Sequence, residues 1–239
     1  MKLVSFVLMV GFSLSVTAQN LEANEIINLC IKKHGGDNYQ NAHFSYDFRK
    51  YHYEFHYEKG KYRYERHSKD GSVVDILTNQ GFTRKMDGKE VDLSEKDSRK
   101  YSNSVNSVHY FAFLPFFLND QAVNKRLIGE AKVKDKDYYK IEVTFDQEGG
   151  GDDHDDVYMY WIAKDDYTMD YLAYSFHVNG GGVRFRSAYN KRTVGGITFQ
   201  DYINYKHDKN TPVSALDALY EVGELKELSK IELVNVRGI

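Results

Sequence analysis

The chain has 239 residues, a formal charge of -3, and 41% hydrophobic and 15% aromatic residues, with 20 tyrosines. Acids and bases are interspersed, which excludes the basic field that nucleic acid requires, so no nucleic-acid partner is expected. The only cysteine is Cys30, which excludes an internal disulfide.

Met1 to Ala18 combines Lys2, an apolar run from Leu3 to Val16 and the short residues Val16-Thr17-Ala18, the arrangement of a cleaved signal peptide. Removing 1–18 leaves 19–239 as a single domain. No cysteine stands at the cleavage point, so the attachment site of a bacterial lipoprotein is missing. An exported chain without disulfides fits the periplasm or a secreted location.

Leu21 to His34 reads as an amphipathic helix, with Ile26, Ile27, Cys30 and Ile31 on one side, Asn24 as N-cap and Gly35-Gly36 as the stop. From Phe44 the period becomes two. Phe44, Tyr46 and Phe48 share a face, then Tyr51, Tyr53, Phe55 and Tyr57 follow on the opposite parity, which predicts one long strand with a bulge near Arg49-Lys50. Turn residues at Lys59-Gly60, Asp70-Gly71, Asn79-Gln80-Gly81 and Asp87-Gly88 then mark a meander of hairpins. Ser94 with Asp97 predicts a capped helix from Glu95 to about Asn106. Pro115 permits a fresh helical turn at Phe116.

Strands return after Asn119-Asp120, in Tyr139 to Phe145, Val157 to Ile162, Asp170 to Val178, and the segments GVRFRSAYN and ITFQDYINY. Leu216 to Tyr220 reads as a short helical turn and Leu228 to Val236 as a last strand. Short strands between turns, with few helices, predict an α+β fold built on a large antiparallel sheet.

The N-terminal helix ending His34-Gly35-Gly36, the aromatic strand after it and the successive hairpins resemble the LolA/LolB-like periplasmic lipoprotein-carrier superfold. Ser104-Val105-Asn106-Ser107, Leu114-Pro115-Phe116, Glu148-Gly149-Gly150-Gly151 and Arg184-Phe185-Arg186 resemble, over nearly the whole chain after residue 18, an uncharacterised family of exported bacterial proteins, a domain of unknown function. The first resemblance implies a curved sheet, a half-barrel, cradling a few helices around an apolar cavity. Carrier residues do not match one by one, so it does not extend to lipoprotein transport.

Tyr110 to Leu118, YFAFLPFFL, is too short to span a bilayer. It is either the plug of a core or the mouth of a pocket. In the second case Tyr101 and Tyr110 stand at the rim, and Phe111, Phe113, Leu114, Phe116 and Phe117 line a site for an apolar or lipid-like ligand. Arg184 and Arg186 share a strand face, where they clamp an anionic headgroup or pair with acids such as Asp170 or Asp201.

The loop Glu148 to Asp156 sets Glu148, Asp152, Asp153, Asp155 and Asp156 among glycines. It is a candidate site for calcium or another cation, or an exposed hairpin tip. His52, Glu54 and His56 share one strand face. They are chemically suited to zinc, but alternate side chains of a flat strand stand side by side, which argues for a solvated polar face.

Hydrolase, phosphate-loop and redox motifs are missing, and Cys30 falls on an apolar helix side. The leading expectation is a monomeric periplasmic carrier for an apolar or amphipathic ligand, without a transmembrane anchor. Alternatives are a cation-dependent or His/Asp hydrolase and a non-catalytic envelope interaction protein.

Overall fold

The structure, a computed structural model, describes residues 22–148, 156–177 and 180–239. Residues 22–34 form helix α1, which buries Ala23, Ile26, Ile27 and Cys30 at helical spacing. Asn24 lies inside the helix and does not cap it. Gly36, at φ 54°, supplies the left-handed residue that follows a helix end.

Arg49-Lys50 is a hairpin turn and not a bulge. β1 (Asn41–Phe48) and β2 (Tyr51–Glu58) pair antiparallel, with Phe44 opposite Phe55 and Tyr46 opposite Tyr53. A two-residue reversal moves the inward parity from even to odd, as a one-residue insertion does. Arg49 itself takes φ 57°, so no Gly or Asn marked the turn.

β3 (Lys61–Ser68), β4 (Val73–Thr78), β5 (Gly81–Met86) and β6 (Lys89–Glu90) continue the meander. Lys59-Gly60 and Asp87-Gly88 both have two positive φ values, as tight hairpins require. Ser94 caps α2 (Glu95–Ala112), its Oγ accepting from the Asp97 amide at 3.1 Å. The helix continues past Asn106 and absorbs the first three residues of the apolar run. After a cis Leu114-Pro115 peptide, a 3₁₀ turn spans Phe116–Asn119. No described helix is long and apolar enough to cross a membrane.

β7 (Val123–Val133), β8 (Lys136–Phe145), β9 (Tyr158–Ala163), β10 (Met169–Phe176), β11 (Gly182–Val194) and β12 (Ile197–His207) follow, then the short helix α3 (Leu216–Glu221). The expected final strand is two strands, β13 (Lys226–Ile231) and β14 (Val234–Gly238). The break is held by Asp201, whose Oδ1 accepts from the Leu233 amide at 3.0 Å, and by Arg192, which donates to the Leu233 carbonyl. Captured in this way, the backbone leaves one sheet and enters the other with its polar groups satisfied.

The fold is α+β, with two seven-stranded antiparallel sheets ordered β14-β1-β2-β3-β4-β5-β6 and β13-β12-β11-β10-β9-β8-β7. The chain forms two compact units. Of the described residues, one holds 22–33, 118–148, 156–177, 180–187 and 204–229; the other holds His34–Phe117, Ala188–Ile203 and Lys230–Ile239. In the first, Trp161, Tyr171 and Phe185 form the core, and Trp161 Nε1 donates to buried Asp217 at 3.1 Å. In the second, Phe113 stacks on Phe55 with centroids 3.6 Å apart and meets Phe44 and Phe199 edge-on. Burying side chains of this size contributes roughly 1.5–3 kcal/mol each.

Candidate functional site

Hairpin register in the second unit assembles the site. β3 pairs with β4 so that Arg66 faces Asp75, and β4 pairs with β5 so that Asp75 faces Arg84. The period of two puts all three on the side of the sheet that carries Tyr64 and Leu77, the side against which α2 packs.

Asp75 is 1% exposed and its two oxygens are shared between the guanidiniums. Arg66 Nε and Nη2 donate to Oδ2 at 2.9 and 2.5 Å, while Arg84 Nε donates to Oδ1 at 2.6 Å and its Nη2 to Oδ2 at 3.0 Å. Arg66 Nη1 donates to Ser104 Oγ of α2 at 2.7 Å. The Arg84 guanidinium lies 3.5 Å from the centre of the Tyr101 ring, and that of Arg66 lies 5.0 Å from Tyr51. Hydrogen bonding to Asp75 raises the Arg84 pKa further. Both arginines are held in one geometry by strand, helix and ring.

Tyr51, Arg66, Asp75, Arg84, Lys100 and Tyr101, with Val73 and two serines, line a cleft of about 350 Å³. Three cations face one carboxylate there, so the lining keeps a positive excess. Lys100 is exposed and available to an incoming anion. A space of this size lies at the lower end of small-molecule sites and suits a headgroup with a short apolar portion.

Of the expected ligand-binding residues, Tyr101 alone lines the cleft. Phe113, Leu114 and Phe117 are buried core, Phe116 stacks on Tyr39 at 4.6 Å, and Tyr110 stacks on Phe117 at 5.4 Å and touches Phe111 edge-on. Pro115 is buried, and rings surround Phe113 two residues before it. Arg184 and Arg186 belong to the first unit. Arg186 Nη2 donates to Tyr174 Oη at 3.0 Å, and the Arg184 guanidinium sits 4.7 Å from the Phe176 ring. Their neighbours Val183 and Phe185 enter that unit's core, as the alternation predicts.

In the acidic segment, Asp152, Asp153 and Asp155 lie outside the described residues. Glu148 is exposed, and buried Asp156 places Oδ1 3.3 Å from His177 Nδ1. Sequence reasoning does not reach Arg66, Asp75 or Arg84, and it reaches Ser104 only as part of a motif of resemblance and not as a site residue. A signal was available, because counting outward from the Asn79-Gln80 turn sets Asp75 opposite Arg84.

The structure is similar to a LolA superfamily protein from Nitrosomonas europaea, with a TM-score of 0.54 and 12% identity over 91% of this chain and 93% of that one. It is also similar to a domain from Vibrio parahaemolyticus described as outer-membrane lipoprotein-sorting, with a TM-score of 0.50 and 8% identity over 92% and 93%. At these identities the likeness establishes a LolA-like fold and nothing finer. No curated protein sequence matches the chain significantly. A family model does match nearly its whole length, residues 2–233, and the chain therefore belongs to that family, a family of unknown function (DUF6503).

Proposed function

We propose that the chain is an exported binding or carrier protein for an amphipathic ligand with an anionic headgroup, held between the β2–β5 face and α2. The observation that carries this reading is the cleft itself, which Arg66, Arg84 and Lys100 line together with one buried carboxylate and two tyrosine rings. An anion entering beside Lys100 meets guanidiniums already fixed by Asp75 and Ser104, so little ordering is lost on binding. Tyr51, Tyr101 and Val73 offer apolar surface to the part of the ligand next to the headgroup. The LolA-like fold supports a role in handling lipid-like molecules, and the signal-peptide pattern of residues 1–18 supports export to the periplasm.

The test is titration of delipidated protein with a fluorescent fatty acid and with its methyl ester. Micromolar binding of the acid, little of the ester, and at least a tenfold loss on Lys100→Glu are expected. Equal binding of both, or no binding of the acid, sinks the reading. Lys100 is exposed, so the variant keeps the fold.

A further inference from the structure

The other face of the same strands carries a second constellation. Glu54 of β2 is directly opposite Glu65 of β3, and His52 is directly opposite His67. Like charges placed opposite one another weaken an antiparallel pair, and a cation between them reverses that effect. One ligand atom each from Glu54, Glu65 and His67 lies within 4.8 Å of the other two. Convergence comes from neighbouring strands, which removes the objection that one flat strand holds its side chains apart.

The details point to a metal. Glu65 is 7% exposed; its Oε1 receives Arg63 Nε, and its Oε2 stands 2.9 Å from His67 Nε2. That nitrogen is shielded from solvent, with the Glu65 carboxylate beside it. Two donors of one tetrahedral zinc ion stand about 3.3 Å apart, close to this separation. His52 lies beside this group, outside the set whose ligand atoms converge. Its Nδ1 is 2.7 Å from Asp47 Oδ1, which leaves Nε2 directed toward Glu54 Oε1 at 3.9 Å.

We propose that Glu54, Glu65 and His67 bind a divalent transition-metal ion of the zinc class on this face. One imidazole nitrogen and two carboxylate oxygens form a donor set of zinc type, with too few oxygens for calcium. Arg63, about half exposed, donates to Oε1 of Glu65, which leaves Oε2 to the ion.

The test is calorimetric titration of the chain with zinc chloride at neutral pH, with Glu54→Gln, His67→Gln and, as a control in the other unit, His207→Gln. One ion per chain at micromolar affinity is expected, weakened at least tenfold in each of the first two variants and unchanged in the control. Zinc should also raise the melting temperature of the wild type and not of the double variant E54Q/H67Q. Wild-type binding no tighter than that of E54Q/H67Q overturns the proposal, and so does equal loss in the control. Glu65, being buried, is left intact so that all variants fold.

Discussion

On the inner face of β1 to β3, Tyr46, Tyr53, Phe55 and Tyr64 surround the ring of His109; on the outer face, His52 and His67 stand among Asp47, Glu54 and Glu65. His109 is fully buried, and burial pushes its pKa down to about 3 against a hydrogen bond to the Glu65 carbonyl that favours the charged ring. The neutral ring fits its partners, with Nε2–H donating to that carbonyl at 3.3 Å and Nδ1 accepting from Tyr46 Oη–H at 2.8 Å. The His67 pKa moves the other way, raised by Glu65 beside it. One sheet thickness separates an imidazole governed by desolvation from one governed by a carboxylate. Strand alternation thus creates a dry, stacked face and a charged face from the same three strands.

The largest effect that would break this contrast is expected at its boundary. Asp75→Ala leaves Arg66 and Arg84 without their shared carboxylate, and urea denaturation should show a loss of about 3–5 kcal/mol. A loss under about 1 kcal/mol would mean that solvent, and not Asp75, satisfies the guanidiniums. Phe113→Ala, on the inner face, should cost about 3–4 kcal/mol with an unchanged denaturant slope, because the surrounding rings close only part of the cavity.

His109 sharpens the contrast through pH. Its folded pKa lies below the unfolded value of about 6.5, so the unfolded chain binds more protons between about 6.5 and 3. Stability is therefore complete above that window and falls as pH drops through it, by up to about 1.4 kcal/mol per unit. His109→Gln should flatten that slope; an acid limb as steep as wild type would assign it to other groups. The smallest effect belongs to the outer face. Glu54→Gln in metal-free protein should change stability by no more than about 0.5 kcal/mol, and toward greater stability, since it relieves the repulsion opposite Glu65. A clear destabilisation there would show that the outer face is held by its own ion pairs.

Much of the architecture followed from local chemistry. Turn residues located the hairpins of β2 to β6, Ser94 located the start of α2, and the spacing of Ile26, Ile27 and Cys30 located α1, because backbone preference and amphipathic period act over a few residues. One strand, β7, and two strand boundaries did not follow. The Arg49-Lys50 reversal lacks a turn residue and mimics a bulge in parity, and the change of sheet between β13 and β14 depends on Asp201 and Arg192, distant in sequence from Leu233.

The candidate sites divide along the same line. The residue types alone identified a polar His-Glu-His face and an apolar run, since alternation and composition are properties of the chain. Only the pairing of strands decided that Arg66, Asp75 and Arg84 share one cleft with Tyr101, that Phe113 fills a core, and that Glu54 meets Glu65 and His67. Those outcomes depend on register, and register is set by which strands pair, a choice made by burial of the whole inner face and not by any single segment.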